Sequence, residues 1–176
     1  MNLFAPLSLL VIVAAACARD CPHVNGTDTA PHFFNCPSVQ LTMTALKVTD
    51  ASGNPVYPMN SEKPVVTITT ATNAAGPVAK PVINISFYHY GTGLLSSECG
   101  WRAMPPLAPF HNMDGCKYTQ CPIANGEVVF KMPLDLSPFS KIIEYYGNDQ
   151  IFQLKVTTSS AGQQIGCAYV QLKNHF

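Results

Sequence analysis

The chain has 176 residues, 11% of them charged and 47% hydrophobic, and its ten basic and ten acidic side chains leave a formal net charge of zero. That balance excludes attraction by bulk charge, so neither a nucleic-acid partner nor an electrostatic hold on anionic membranes is expected. The length is that of one domain, and no linker or internal repeat divides it.

Leu3 to Ala16 is an apolar run with no Lys or Arg ahead of it, followed by the small-residue site Ala16-Cys17-Ala18 and then Arg19-Asp20. This reads as a secretory signal over residues 1–18, leaving a domain over 19–176 with a strand-rich core at about 36–174. The run is short for a bilayer span, and no later segment holds about 18 uninterrupted apolar residues. Loss of Cys17 leaves Cys21, Cys36, Cys99, Cys116, Cys121 and Cys167, an even set that suits an oxidising compartment. Many pairings are open to these cysteines, and spacing alone does not choose among them. The sequons Asn25-Gly26-Thr27 and Asn84-Ile85-Ser86 make Asn25 and Asn84 candidate glycosylation sites, in keeping with secretion.

Short runs rich in Val, Ile, Thr, Phe and Tyr recur between Gly, Pro and Asn punctuation, the pattern of an antiparallel sandwich. Strands are expected at Val39 to Val48, Pro64 to Thr72, Pro81 to Tyr90, Glu127 to Met132, Gln150 to Thr158 and Ile165 to Lys173. Asp50 to Asn54 and Asn73 to Pro77 read as turns, and a helical turn is expected around Ser140 to Tyr146, between Pro138 and Gly147. Side chains alternate across a sheet, so a water-facing Asn84 turns Ile83, Ile85 and Phe87 inward. With Glu127 and Lys131 outward, Val128, Phe130 and Met132 lie inside; with Gln153 and Lys155 outward, so do Phe152, Leu154 and Val156. Val66 and Ile68 are read as the inward pair of their strand, and Val170 as inward on the last. These residues close either a dry core or the walls of a cavity, and composition does not decide which.

Trp101 to Phe110 (WRAMPPLAPF) is read as a Pro-stiffened loop between strands, either the lip of a pocket or a plug over one end of the sandwich. Pro138, Phe139, Ile142, Ile143, Tyr145 and Tyr146 make a second apolar cluster, suited to an opposite lip because tyrosine joins an apolar body to a polar tip. Arg102, Lys117 and Lys141 lie on or beside these loops, as contacts for an anionic headgroup or as solvated charges.

From Gly115 the chain reads GCKYTQCPIANGEVVF, then PLDLSPFSKIIEYYGND, then IFQLKVTTSSAGQQIGCAYVQL. Cys116 and Cys121 are close enough to staple a loop before the strand that follows Gly126, whereas Cys167 sits inside the last strand and needs a distant partner. With Cys121-Pro122 ahead of Gly126, the Ser159-Ser160-x-Gly162 turn, and Gly166-Cys167 in the final strand, this order resembles the ML lipid-recognition family, that of the ganglioside activator, the Niemann-Pick cholesterol-transfer protein and the mite group 2 allergens. The resemblance implies an all-β, disulfide-stapled, immunoglobulin-like antiparallel sandwich of two sheets with an internal lipid cavity. It implies bridges Cys36–Cys167 and Cys116–Cys121, which leave Cys21 with Cys99. It also implies that the cavity is lined by the inward residues named above, with Trp101, Phe110, Phe139, Ile143 and Tyr146 at its lips.

No Gly-x-Ser-x-Gly elbow, His-Glu-x-x-His pair or glycine-rich phosphate loop occurs, so no enzymatic activity, cofactor or metal is expected. His111-Asn112-Met113-Asp114 is the nearest approach to a polar constellation and reads as a solvated loop. The resemblance implies a secreted monomer that holds a sterol, fatty acid, glycolipid or phospholipid between its sheets for transfer or presentation. Transient membrane contact is expected, with the extracellular space or the lysosome as destination. A second reading is an activator that presents a glycolipid to a lysosomal hydrolase. A third is a secreted recognition or immune-modulating module with a closed core.

Overall fold

A computed structural model describes residues 21–22, 24–93, 96–147 and 149–175, so the expected signal sequence lies outside the described residues. Among the described residues nine strands carry the fold: β1 (His32–Asn35), β2 (Leu41–Thr49), β3 (Val65–Asn73), β4 (Val82–Gly93), β5 (Ser96–Ala103), β6 (Met113–Asp114), β7 (Gly126–Leu134), β8 (Ile151–Ser160) and β9 (Gln163–Lys173). One short helix, α1 (Ser140–Tyr145), precedes β8. All six expected strands and the helical turn are present, with ends moved by a few residues.

Hydrogen bonding runs in the order β5-β4-β8-β9-β2-β3-β7, with β1 added to β9 and β6 to β4. These strand pairings are antiparallel except for one parallel contact, Leu41 with Gly166, where β2 leaves β9. At that corner the sheet turns back on itself, so that β5, β4, β8, β9 and β1 make one layer and β2, β3 and β7 the other. Gly166 permits the corner: a Cβ there would come within 3.3 Å of the Leu41 side chain and 3.2 Å of Thr158. Local sequence sets the tight turns. Asp50 accepts from the backbone N–H of Ser52 and of Asn54, both at 2.9 Å, the Asx turn that its side chain favours. Ala161 and Gly162, with φ of 50° and 78°, close the β8–β9 hairpin in the left-handed conformation that matches strand twist.

Three strands were not legible. β5 (SSECGWRA) lacks the β-branched run that marks a strand, and forms because Tyr88 to Gly93 of β4 pair with it. β1 and β6 are short and borrow their order from β9 and β4. The 111–114 segment is thereby not a solvated loop: Met113 is buried, and the Asp114 carboxylate accepts the Cys116 N–H at 3.0 Å.

The facing of β3 differs from expectation as well. Val65, Ala71 and Asn73 are buried, and Thr67 and Thr69 point between the sheets, which by alternation turns Val66 and Ile68 outward. Ile68 pairs with Lys47 on one side and Lys131 on the other, whose aliphatic stems can cover it. At Thr67 neighbouring backbone satisfies the inward hydroxyl, which donates to the Met132 carbonyl at 3.1 Å.

The cysteines form the bridges Cys21–Cys99, Cys36–Cys167 and Cys116–Cys121. Three disulfides mark a protein that folds in an oxidising compartment. Cys21 and Cys99 tether the start of the described chain to β5. From there residues 24–31 cross the outside of the first layer as a strap to reach β1. Beneath the strap, Gln153 is not solvated as expected but buried: Asn25 donates to Gln171, which donates to Gln153 at 2.8 Å. Paired amides can be buried this way because each satisfies the next.

Candidate functional site

Between the layers lies an apolar cavity of about 80 Å³. Leu41, Met43, Leu46 and Val48 of β2, Thr67, Thr69 and Ala71 of β3, and Phe130, Met132 and Leu134 of β7 form one wall. Ile83 and Ile85 of β4, Leu154, Val156 and Thr158 of β8, and Ala168, Val170 and Leu172 of β9 form the other, with Gly166 and Cys167 at the corner. No charged side chain belongs to this lining. An apolar cavity of about 150 Å³ takes up a benzene molecule, so the void as it stands holds only part of an alkyl chain, and a longer one must part the sheets.

A second void of about 10 Å³ lies toward the end of the sandwich where Phe87 of β4 and Phe152 of β8 approach α1. Leu154 and Leu172 line both voids and form the partition between them. The outer wall is Met104 and Leu107 from the segment after β5, Leu136 after β7, and Ile143 of α1. Phe110 packs edge-on against Phe87 at 5.1 Å and approaches Phe139 at 6.2 Å. Met104, Leu107 and Phe110 are all buried, so this segment is a plug. Trp101 is not at a lip: it sits on β5 with its ring beside Tyr90, 5.0 Å away, on the outer face. The loop reading failed there because the strand that carries Trp101 was itself not legible.

Beyond Phe87 on the same inner face comes His89, paired in register with Arg102 of β5 and Phe152 of β8. Tyr146, at the end of α1, lies 4.2 Å from the His89 ring. Burial, and behind it the Arg102 charge, hold the His89 pKa below its ordinary value of 6.5. The folded protein thus keeps His89 neutral where the unfolded chain would protonate it. That contribution to stability is complete above about pH 6.5 and is lost as the pH falls toward the folded value. Thermal unfolding measured from about pH 7.5 down to about pH 5 is expected to show a decline that begins near 6.5 and is flattened by His89→Phe. An unchanged slope in that variant would assign the decline to other groups.

Of the residues expected to bind lipid, Ile83, Ile85, Phe130, Met132, Leu154, Val156 and Val170 line the large cavity, and Phe87, Phe152 and Ile143 the small one. Val128 packs against the core at its margin, Phe110, Phe139 and Tyr146 cover the end, and Val66, Ile68 and Trp101 face away. Leu41, Met43, Ala71, Leu134, Ala168 and Leu172 were missed. Alternation on β2 and β9 carried the signal for Leu41, Met43 and Leu172, and the two alanines gave none, since their small size reveals itself only where opposed walls leave a gap. Asn84 faces out and accepts the Asn112 N–H at 2.8 Å; Asn25 is exposed at the strap. No group of His, Cys, Asp and Glu among the described residues is arranged to hold a metal. No protein-family model matches the chain, and no curated protein matches it in sequence.

Proposed function

We propose that this protein is a secreted lipid carrier of the ML type, which takes an alkyl chain or sterol between its two sheets and transfers or presents it. One observation carries the reading: a cavity walled by six strands whose lining is apolar but for three threonines. Burial of each methylene contributes about 0.8 kcal/mol, so about ten carbons gain roughly 8 kcal/mol before ordering costs. Such binding needs no catalytic group. The void of about 80 Å³ grows on loading by separation of the layers, which are joined at the β2–β9 corner, by Asn35 of β1 bonded to the Met43 backbone of β2, and by Met59 bridged to Asn174 after β9. The α1 end is the entrance this reading favours, since the small void there abuts the large one across two leucines. Ile142 and Tyr145, 40% and 85% exposed on α1, offer apolar contact to a membrane at that end.

Mass spectrometry of an organic extract from the purified, disulfide-intact protein, beside an unrelated secreted sandwich protein prepared identically, tests the reading. A near-stoichiometric sterol, fatty acid or phospholipid is expected. An extract matching the control, together with no uptake of added fluorescent fatty acid or sterol, would replace the carrier by a closed-core recognition module, the reading that the small resting volume favours.

A further inference from the structure

We propose that Arg102 and His89 form a subsite for the anionic headgroup, phosphate or carboxylate, of the amphiphile whose chain occupies the cavity. This rests on the carrier reading above and adds the class of lipid. Four observations converge on it.

Arg102 is on the inner face of the β4–β5 hairpin, opposite His89 in register, and is half-buried there. The next pair on that face is Gly91 with Gly100, which leaves bare backbone beside the two side chains. Space there is used by the guanidinium itself: a Cβ at Gly93 would come within 3.0 Å of Arg102 Nη2, and one at Gly91 within 3.3 Å of the His89 ring. A Cβ at Gly100 would meet nothing within 4 Å, so the floor is open on that side.

The guanidinium is also under-used. Among the described residues, Nη2 donates only a long bond, 3.4 Å, to the Glu98 carbonyl, and Nε, shut off from solvent, has no hydrogen-bond partner. No carboxylate among the described residues lies within ion-pair distance of Arg102. An arginine fork matches two oxygens of a phosphate or carboxylate, and a charged donor left unpaired in a protein interior gains most from such a partner.

Continuity with the apolar cavity makes this a headgroup site and not a separate anion site. Phe87 and Phe152, which line the small void, are the inner-face neighbours of His89 along β4 and across to β8. Tyr146 covers His89 while Ile143, one turn earlier on α1, closes the void. A displacement of α1 thus exposes the apolar entrance and the polar pair together.

The test uses the full-length secreted protein, stripped of lipid, titrated with dodecyl phosphate, dodecanol and inorganic phosphate. Wild type is expected to bind dodecyl phosphate at least about tenfold more tightly than dodecanol, and Arg102→Gln to bring the two within about threefold while leaving dodecanol affinity unchanged. A preference that survives the substitution, or that is absent in wild type while dodecanol binds, overturns the subsite. Inorganic phosphate bound as tightly as dodecyl phosphate would make this a free-anion site and likewise overturn the headgroup assignment. Failure of all three ligands in wild type would instead remove the carrier reading and the subsite with it. Should R102Q not fold, the wild-type protein still decides: it has two arginines, and the Nε–H resonance of Arg102 must shift with dodecyl phosphate and stay in place with dodecanol.

Discussion

Ala71→Leu or Ala168→Leu is expected to weaken uptake of a fluorescent long-chain fatty acid by about fiftyfold, while Val66→Leu leaves it unchanged. Ala71 on β3 and Ala168 on β9 line the cavity from opposite walls, and it is their short side chains that leave about 80 Å³ unfilled. Either leucine adds three carbons to that space. Displacing about three methylenes of a bound chain removes roughly 2.4 kcal/mol, which is about fiftyfold in affinity. Overpacking a filled core costs about 1–3 kcal/mol, but added carbons that enter a void regain contacts, so urea unfolding should show little loss of stability. Val66→Leu adds one carbon on the outer face, and separates occupancy of the cavity from a general effect of enlarging a β3 side chain. Unimpaired uptake in both alanine variants would mean that the ligand binds elsewhere.

Removal of the Cys36–Cys167 bridge by paired alanine substitution is expected to cost about 5 kcal/mol, against about 2 kcal/mol for Cys116–Cys121. The difference comes from the sequence separations, 131 and 5, because the chain-entropy cost of closing a loop grows with its length. A loss of about 5 kcal/mol removes much or all of the stability of a domain that has about 5–15 kcal/mol in total. A sandwich with a void between its layers forfeits packing contacts that a dry core would make, which increases its reliance on the cross-link. Chemical denaturation of the two double variants, compared at equal temperature and pH, measures both figures. Equal losses would show that residual structure in the unfolded chain, and not loop length, governs the effect.

What the sequence made legible follows the physics of each segment. Runs such as VVTITTATN and VINISFYHY announce strands because β-branched and aromatic residues fit a pleated, half-buried surface. SSECGWRA does not, and its conformation is imposed by β4. Hydropathy misplaced the inner face of β3, where Thr67 and Thr69 line the cavity and Val66 and Ile68 do not, because a threonine whose hydroxyl is satisfied by backbone behaves as a small branched apolar residue. Gln153 read as solvent-facing, which is right for its side of the sheet and wrong for its burial, since the strap that covers it comes from more than a hundred residues away. Arg102 read either as a contact for an anionic headgroup or as a solvated charge; the register of β4 with β5 places it inward beside His89. The cysteine pairings could not be read from spacing, and the structure forms the two that the resemblance implied together with the remaining pair.

β9 pairs with β8, β1 and β2 and stands where the two layers join, yet it is the last strand to emerge during synthesis. Gly166 follows its partner Leu41 by about 125 residues, which at about 5–20 residues per second is a wait of about 6 to 25 s. Local collapse takes microseconds, so β2, β3 and β7 can meet one another long before the opposite layer exists. Through that interval their inner side chains, Leu41, Met43, Phe130 and Met132 among them, face solvent on a half-built protein. Any holding partner of the nascent chain would first cover this apolar face, the one that lines the cavity once the second layer is in place.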